Sequence, residues 1–412
     1  MKRHLLSQIC NEWKSNLWLI IELTIISAIL WFVFTFLCAV IHIRMEPRGY
    51  DLSDIYIGEI RSIREDSPLY TPYDSVHSYR TDLDQLFAGI RSNPYVELAG
   101  SGSNATPYHY NYYGVSFLIQ EPDTIYTYHG NLRRMSPEVM KIYRLEGCNG
   151  ESSEELASVL ERGEIIFSKV EGDYLNSYPS ADFFKGKDVM LSSDSSQIYR
   201  VGATASTLRR NDYETTYGGV IYAPLGPTDF PSHIIIRIHH GKDKEFTESL
   251  TAADKQVGNV YVSGLTPIDR LRDAAQVDTD ITIRNLNVCA MFLLLVIFLS
   301  FLGTFWFRIQ QRSGEISIRK VNGATHINIF RRLISEGLIL LIIATILATA
   351  LELTVTHFGI IDIAEMIGTD NFVMYESMAI TFVFMALLTA AGIWMPARKA
   401  MKINPAYALK DQ

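Results

Sequence analysis

Four runs of apolar, uncharged residues interrupt this 412-residue chain. Each can cross about 30 Å of hydrocarbon as a helix, which takes roughly 20 residues. Backbone amides find no water in lipid, so such runs have to be helical. The first spans Leu17 to Ile43, with an uncharged core from Leu23 to Ile41. It is too long for the apolar part of a secretory signal, and His42, Arg44, Glu46 and Pro47 follow it where a cleavage site would need small residues, so it reads as a retained anchor. The second, Asn285 to Phe307, carries no charge between Arg284 and Arg308 and ends in aromatic residues suited to an interface. The third, Leu333 to His357, has Glu336 and Glu352 near its two ends, and the fourth, Val373 to Met395, is charge-free after Glu376 and stops at Pro396.

The basic residues of the short loops orient the spans. Lys2, Arg3 and Lys14 precede the first span; Arg308, Arg312, Arg319, Lys320, Arg331 and Arg332 lie between the second and third; Arg398, Lys399, Lys402 and Lys410 close the chain. Four spans put all of these on one side. The connector from Phe358 to Phe372 has Asp362, Glu365 and Asp370 but no Lys or Arg. Both termini are therefore expected in the cytoplasm, and the segment between the first two spans is expected to be exported. From Arg44 to Arg284 it holds 24 Lys and Arg against 35 Asp and Glu, a balance of −11, while the rest of the chain stands at +3. A net charge of −8 argues against nucleic acid as a partner, because gripping phosphates needs an excess of cations.

At about 240 residues, the exported segment can bury its own core, as one or two lobes. Helical periodicity marks Asp82–Arg91, Ser136–Leu145, Glu151–Arg162 and Pro267–Ala275; Ser136, Pro137 and Glu138 form a helix entry. Alternating or β-branched runs at Tyr112–Gln120, Glu164–Val170, Gln197–Ala203, Gly219–Ala223, His233–His239 and Asn259–Val262 read as strands. The cluster Tyr108, Tyr110, Tyr112 and Tyr113 could present a recognition surface but reads first as an amphipathic strand face. The fold class is thus an integral membrane α-helical protein with four transmembrane helices and a large extracytoplasmic mixed α+β domain inserted between the first two.

No phosphate loop, His-Glu-x-x-His, Cys-x-x-Cys or Gly-x-Ser-x-Gly elbow is present, so no catalytic residue and no enzyme activity is expected on this chain. Adjacent His239 and His240 on a strand would point to opposite faces and could not share a metal, so no metal site is expected. The sequon at Asn104 is given no weight. Cys10, Cys38 and Cys289 lie in or beside apolar runs, leaving Cys148 alone in the exported segment, where no intrachain disulfide can form.

The stretch from Arg308 to Arg332 is long for a hairpin connector. Gly323 and Ala324 interrupt it, Thr325 is a good N-cap, and Ile327, Phe330 and Ile334 follow at helical spacing, so a short amphipathic helix should run into the third span. Its apolar face could rest on lipid or fill a groove on a cytoplasmic partner. Before it, Glu315 and Arg319 stand four apart, worth only about 0.2–0.5 kcal/mol to a helix. Stability alone is a weak reason for that order. The carboxylates Glu22, Glu336 and Glu352 sit near span ends and are expected to pack at interfaces between helices or subunits, ahead of a proton relay.

The order of residues Arg312-Ser-Gly-Glu315-Ile316-Ser-Ile318-Arg319-Lys320-Val-Asn-Gly323-Ala324-Thr325 resembles the signature of the FtsX-like permease subunits of ATP-binding-cassette systems, the group that includes MacB exporters and LolC/LolE lipoprotein extractors. The tail, Pro396-Ala-Arg398-Lys-Ala and then Asn-Pro405-Ala-Tyr-Ala-Leu409, is similar to the ending of that family. More weakly, Glu164–Ser168, Gly186–Val189 and Tyr199–Ala203 are similar to its outer strand series. The resemblance implies a type VII ABC fold laid out as residues 1–16, a cytoplasmic juxtamembrane helix; 17–43, 285–307, 333–357 and 373–395, the spans; 44–284, a MacB-like periplasmic domain; 308–332, a cytoplasmic coupling loop and helix; 358–372, a short periplasmic loop; and 396–412, a cytoplasmic tail.

The same resemblance implies a permease subunit in the cell inner membrane that works as a lever. Motion of a separate ABC ATP-binding subunit would enter at Arg312, Glu315, Ile316, Ile318, Arg319, Lys320, Gly323, Ala324 and Thr325 and reach the outer domain, driving export of a drug, peptide or lipoprotein. ATP and magnesium would belong to that partner, with no cofactor on this chain. A second permease subunit, membrane lipid and a periplasmic adaptor complete the implied partners. Two alternatives stand beside this: a transmembrane transmitter of the same build that activates a periplasmic cell-wall hydrolase, and a membrane-anchored sensor independent of ATP.

Overall fold

The computed structural model describes residues 13–45, 48–74, 77–109, 113–169, 180–213, 219–251, 253–358 and 371–400. Their helices are α1 (Trp13–Met45), α2 (Tyr79–Arg91), α3 (Glu138–Ile142), α4 (Ser153–Glu161), α5 (Ala181–Phe184), α6 (Asp243–Ser249), α7 (Ile268–Gln311), α8 (Ser313–Val321), α9 (His326–His357) and α10 (Asn371–Ala400). The strands are β1 (Ile55–Ser62), β2 (Val96–Ser103), β3 (Gly114–Gln120), β4 (Ile125–Met135), β5 (Ile165–Ser168), β6 (Asp188–Leu191), β7 (Asp194–Ala205), β8 (Gly219–Pro224), β9 (His233–Ile238), β10 (Gln256–Val257) and β11 (Val260–Pro267). The chain divides into a helical unit, Met1–Ile43 with Ile281–Gln412, and a second unit, Arg44–Asp280.

In the helical unit α1, α7, α9 and α10 are long and apolar enough to cross a membrane. Leu23 and Leu30 of α1, Leu340 and Ala344 of α9, and Met385 and Ile393 of α10 are buried in one cluster, while Trp18, Phe292, Ile346 and Leu387 face outward. Apolar residues on the outside as well as the inside suit lipid. With no hydrophobic drive between helices there, association depends on close approach and polar contacts. Both occur. A Cβ on Gly337 of α9 would lie 2.7 Å from Ile393 Cδ1 and 3.0 Å from Thr389 Cγ2 of α10. Trp31 Nε1 donates to Ser377 Oγ at 2.9 Å, and Thr35 Oγ1 lies 2.8 Å from the same hydroxyl. Glu22 accepts from Ser300 Oγ at 3.3 Å and from Thr304 Oγ1 at 3.0 Å on α7.

Two helix limits differ from expectation. The segment Pro267–Ala275 is no separate helix but, from Ile268, the start of α7, because no glycine or proline occurs between Ile268 and Gly303 to end it. The fourth span was expected to stop at Pro396, but α10 continues to Ala400. A proline deletes one N–H, and a helix still held by packing can run through it; Ala397 beyond it is fully buried in the bundle core.

In the second unit eleven strands run in the order β10-β11-β1-β9-β2-β4-β3-β6-β7-β5-β8, and β8 also pairs with β4. That last pairing is parallel and closes six strands, β4-β3-β6-β7-β5-β8, into a ring. The remainder fans out from β4 as an open sheet, so there are two lobes. Alternation along β9 serves both faces of the open part: Ile234, Ile236 and Ile238 meet Leu83, Leu86, Phe87 and Ile90 of α2, and Ile235 meets Val139, Met140 and Ile142 of α3 with Leu156 and Leu160 of α4. The N-terminus of α4 is fixed by a reciprocal capping box between Ser152 and Glu155. The ring is filled by Phe117, Tyr128, Phe167, Phe184, Val189, Val201 and Ile221, with Tyr128 and Phe167 stacked at 3.9 Å.

Other expectations are corrected here. Tyr108 lies on no strand: its φ is +61°, and it is buried with its hydroxyl 2.8 Å from Asp212 Oδ1. Tyr110 and Tyr112 lie outside the described residues, and Tyr113 is exposed. The helix expected over Ser136–Leu145 is reduced to the five residues of α3, since the chain turns away through Arg144 at φ +50°. His239 and His240 fall past the end of β9, where His240 Nδ1 meets Asp54 Oδ2 at 2.9 Å. Cys38, Cys148 and Cys289 are free thiols.

The α9–α10 approach has a measurable consequence. Gly337→Val should destabilise the full chain in detergent by about 1–3 kcal/mol through overpacking, read as a lowered melting temperature; an unchanged melt would mean the helices are not in contact at Gly337.

Candidate functional site

The site read from the sequence lies where α7 ends and α9 begins. Nine residues form α8 between them. Glu315 in its first turn and Arg319 with Lys320 in its last complement the helix dipole. Arg319 also closes on Glu315, its Nε 3.0 Å from Oε1. One side of α8 is anchored by Ile316, buried in the bundle core with Ile309 and Ile329. The other leaves Ile318 and Val321 exposed, and Ile327 at the start of α9 is 63% exposed.

The turn explains Gly323 and Ala324. Gly323 has φ +86°, its N–H donates to Lys320 O at 3.0 Å, and the Ala324 N–H donates to Arg319 O at 3.0 Å. These two bonds form a Schellman motif, which needs a left-handed residue and hence glycine. Thr325 Oγ1 then accepts from the Asn328 N–H at 3.3 Å and caps α9. From His326 to His357 the short amphipathic stretch and the third span are one helix.

Arg312 has another role. Its Nη1 sits 2.7 and 2.8 Å from the two oxygens of Glu336, with side-chain exposures of 18% and 8%. The pair borders a cavity of about 30 Å³ shared with Phe305, Arg308, Gly337 and Ile393. It ties the start of α8 to the third turn of α9. Arg308 in turn donates to Asn16 Oδ1 on α1. Of the tail residues, Arg398 lies 5.7 Å over the Trp394 ring, Pro396 is within α10, and Pro405 and Leu409 lie outside the described residues. The structure therefore gathers the loop residues and adds Glu336, and it does not bring Arg398 into contact with them.

A second charged centre, in the Arg44–Asp280 unit, was missed from the sequence. Asp212 accepts from Tyr108 Oη at 2.8 Å, Arg272 Nε at 2.7 Å and Arg48 Nη2 at 3.4 Å. It joins the stretch following α1, the loop after β7 and the first turns of α7. Burial alone would raise its pKa, but the hydrogen bonds from Tyr108 and Arg272 outweigh this and hold the carboxyl below its ordinary value. No local signal announces it, because the four residues come from separate parts of the chain. Glu352 lines a small cavity with Ser27, Trp31, Thr345, Thr349 and Thr381. Among the described residues no cluster of three His, Cys, Asp or Glu could hold a metal.

Residues 287–405 match the family model described as FtsX-like permease C-terminal. That stretch is similar to the FtsX-like permease C-terminal domain. It takes in the loop from Arg308 to Arg332, the Schellman turn and the Arg312–Glu336 pair, so the family resemblance read from that loop is shown by this match. No curated protein matches the chain. Among solved structures, the chain is similar to the extracellular domain of the noncanonic ABC-type transporter YknZ from Gram-positive bacteria, at 14% identity over 50% of this chain and 100% of that one, with a TM-score of 0.30.

Two measurements test these centres. Arg312→Met or Glu336→Met alone leaves an uncompensated buried charge and should cost about 3–5 kcal/mol, whereas the double Met variant should recover most of that loss in thermal melts; equal losses in singles and double would refute the pairing. Because Asp212 has a depressed pKa in the folded state, its contribution is full above the unfolded value of about 3.9 and disappears as pH falls through the folded value. Asp212→Asn should therefore melt lower at pH 7 and lose part of the wild-type decline in stability below about pH 4.

Proposed function

We propose that this chain is the membrane-spanning subunit of an ABC-type transporter of the FtsX-like permease kind, with both termini in the cytoplasm and the Arg44–Asp280 unit outside. A separate ATP-binding subunit docks on α8 and the Gly323 turn and supplies ATP and magnesium. The observation that carries this reading is the continuity of α9: the exposed Ile327 that a partner can push and the third span are the same helix. The Schellman turn and the Arg312–Glu336 pair hold α8 against that helix, so displacing α8 moves the span and does not bend a loop. Ile318 and Val321, exposed beside Lys320, offer the partner an apolar contact with a basic rim.

Motion carried by the spans reaches the outer unit where Asp212 gathers Arg48 and Arg272. There it drives extrusion of a substrate met on the outer face: a drug, a peptide or a lipoprotein. A conformational bias of about 5.5 kcal/mol, within reach of one nucleotide cycle, moves a two-state equilibrium from 1:99 to 99:1. A second permease subunit completes the assembly, and no catalytic step takes place on this chain.

The test is whether the tagged full chain copurifies with a nucleotide-binding protein, followed by ATPase assays of the complex. Glu315→Lys and Arg319→Glu should each reduce stimulation of the ATPase severalfold while membrane insertion is unchanged. If no nucleotide-binding protein copurifies, the assignment fails. If deletion alters wall hydrolysis alone and no sensitivity to drugs or peptides, the outer unit activates a hydrolase and exports nothing.

A further inference from the structure

The outer unit contains a cleft of about 780 Å³, within the range of ligand sites. It opens between α2, the entry to α3, the end of α4 and the loop after β8. One wall is aromatic. Phe230 is 69% exposed and stands edge-on to Tyr79 at 4.9 Å between ring centres. A ring held in place by another ring, outside the core, is preorganised as an anchor for an apolar side chain.

The charges facing this wall are unevenly satisfied. Arg91 donates to Ala99 O at 3.1 Å and lies 3.4 Å from Glu138, Arg80 donates to Pro227 O, and Asp229 accepts from Arg134 at 2.8 Å. Asp84 on α2 and Glu161 at the end of α4 are exposed and line the cleft, and among the described residues neither side chain has a hydrogen bond or ion pair. The cleft thus presents an apolar anchor and two carboxylates without an ion pair against one guanidinium, Arg80, whose hydrogen bond goes to a neutral carbonyl, leaving negative charge in excess. Contact points spread over two helices and a loop call for a ligand with several groups along one backbone.

We propose that this cleft binds a cationic, partly apolar peptide, one apolar side chain against Phe230 and Tyr79 and its Lys or Arg groups opposite Asp84 and Glu161. This deepens the transport reading and rests on it only for the side of the membrane on which the peptide is met; binding itself requires no ATPase.

The test uses the full chain in nanodiscs of zwitterionic phosphatidylcholine and two fluorescent octapeptides, one alternating Leu with Lys and one alternating Leu with Glu, followed by anisotropy. The Lys peptide should bind at least about tenfold tighter than the Glu peptide, with the preference fading as salt rises. Asp84→Asn with Glu161→Gln should weaken it about tenfold at low salt, and Phe230→Ala should weaken it by a similar factor. All three positions are exposed, so unchanged melts verify that the variants are folded. Equal affinity for both peptides, or a double variant that binds as the parent does, overturns the proposal. Because the assay contains no nucleotide, a chain that captures its ATPase but fails to discriminate the peptides loses only the cleft assignment, and one that discriminates them without capturing an ATPase loses only the transport reading.

Discussion

The contact between Arg312 and Glu336 is the constraint on which the helical unit depends. A carboxylate near the entry of an apolar helix is costly to desolvate, and a guanidinium at 2.7 Å offsets that cost only in a fixed geometry. Once paired, the two residues determine where the chain leaves α7 and how α8 lies on α9. Gly323 then completes the reversal with backbone bonds alone, and Thr325 starts the next helix. Three short-range requirements, an ion pair, a left-handed turn and a cap, thereby assemble a stiff corner from residues that have little strength separately.

The Arg44–Asp280 unit solves a similar problem by other means. Its two lobes share β4, and its stretches nearest the spans in sequence are drawn together by a single aspartate. Asp212 stays ionised although buried, since the phenol and guanidinium that surround it replace the water it has lost. In both units a buried carboxylate is the organiser and arginine its partner, and the arginine's planar donors fix direction as well as charge.

The helical unit was largely legible in the sequence. Uncharged runs of twenty residues have only one conformation open to them in lipid, and Gly323 followed by Ala324 and Thr325 encodes a stop and a start that depend on neighbours alone. The strands of the Arg44–Asp280 unit were read where alternation was strong, as in His233–Ile238. They were missed at Ile55–Ser62 and Val96–Ser103, whose Gly58, Gly100 and Gly102 weaken the pattern while allowing neighbouring atoms to come close. Glu336 was visible but read as a span-end carboxylate, because its partner lies 24 positions earlier. Asp212 could not have been found, since no periodicity links residues 48, 108, 212 and 272.

The closure of β8 onto β4 also affects how such molecules behave as neighbours. Ten of the eleven strands have a partner on both sides, and among the described residues the sheet ends at β10, only two residues long. A membrane confines proteins to a plane at high local density, where bare strand edges would zip one molecule to the next. Here the one strand without a second partner is too short to template such growth, so the units that carry these sheets can crowd together and still come apart.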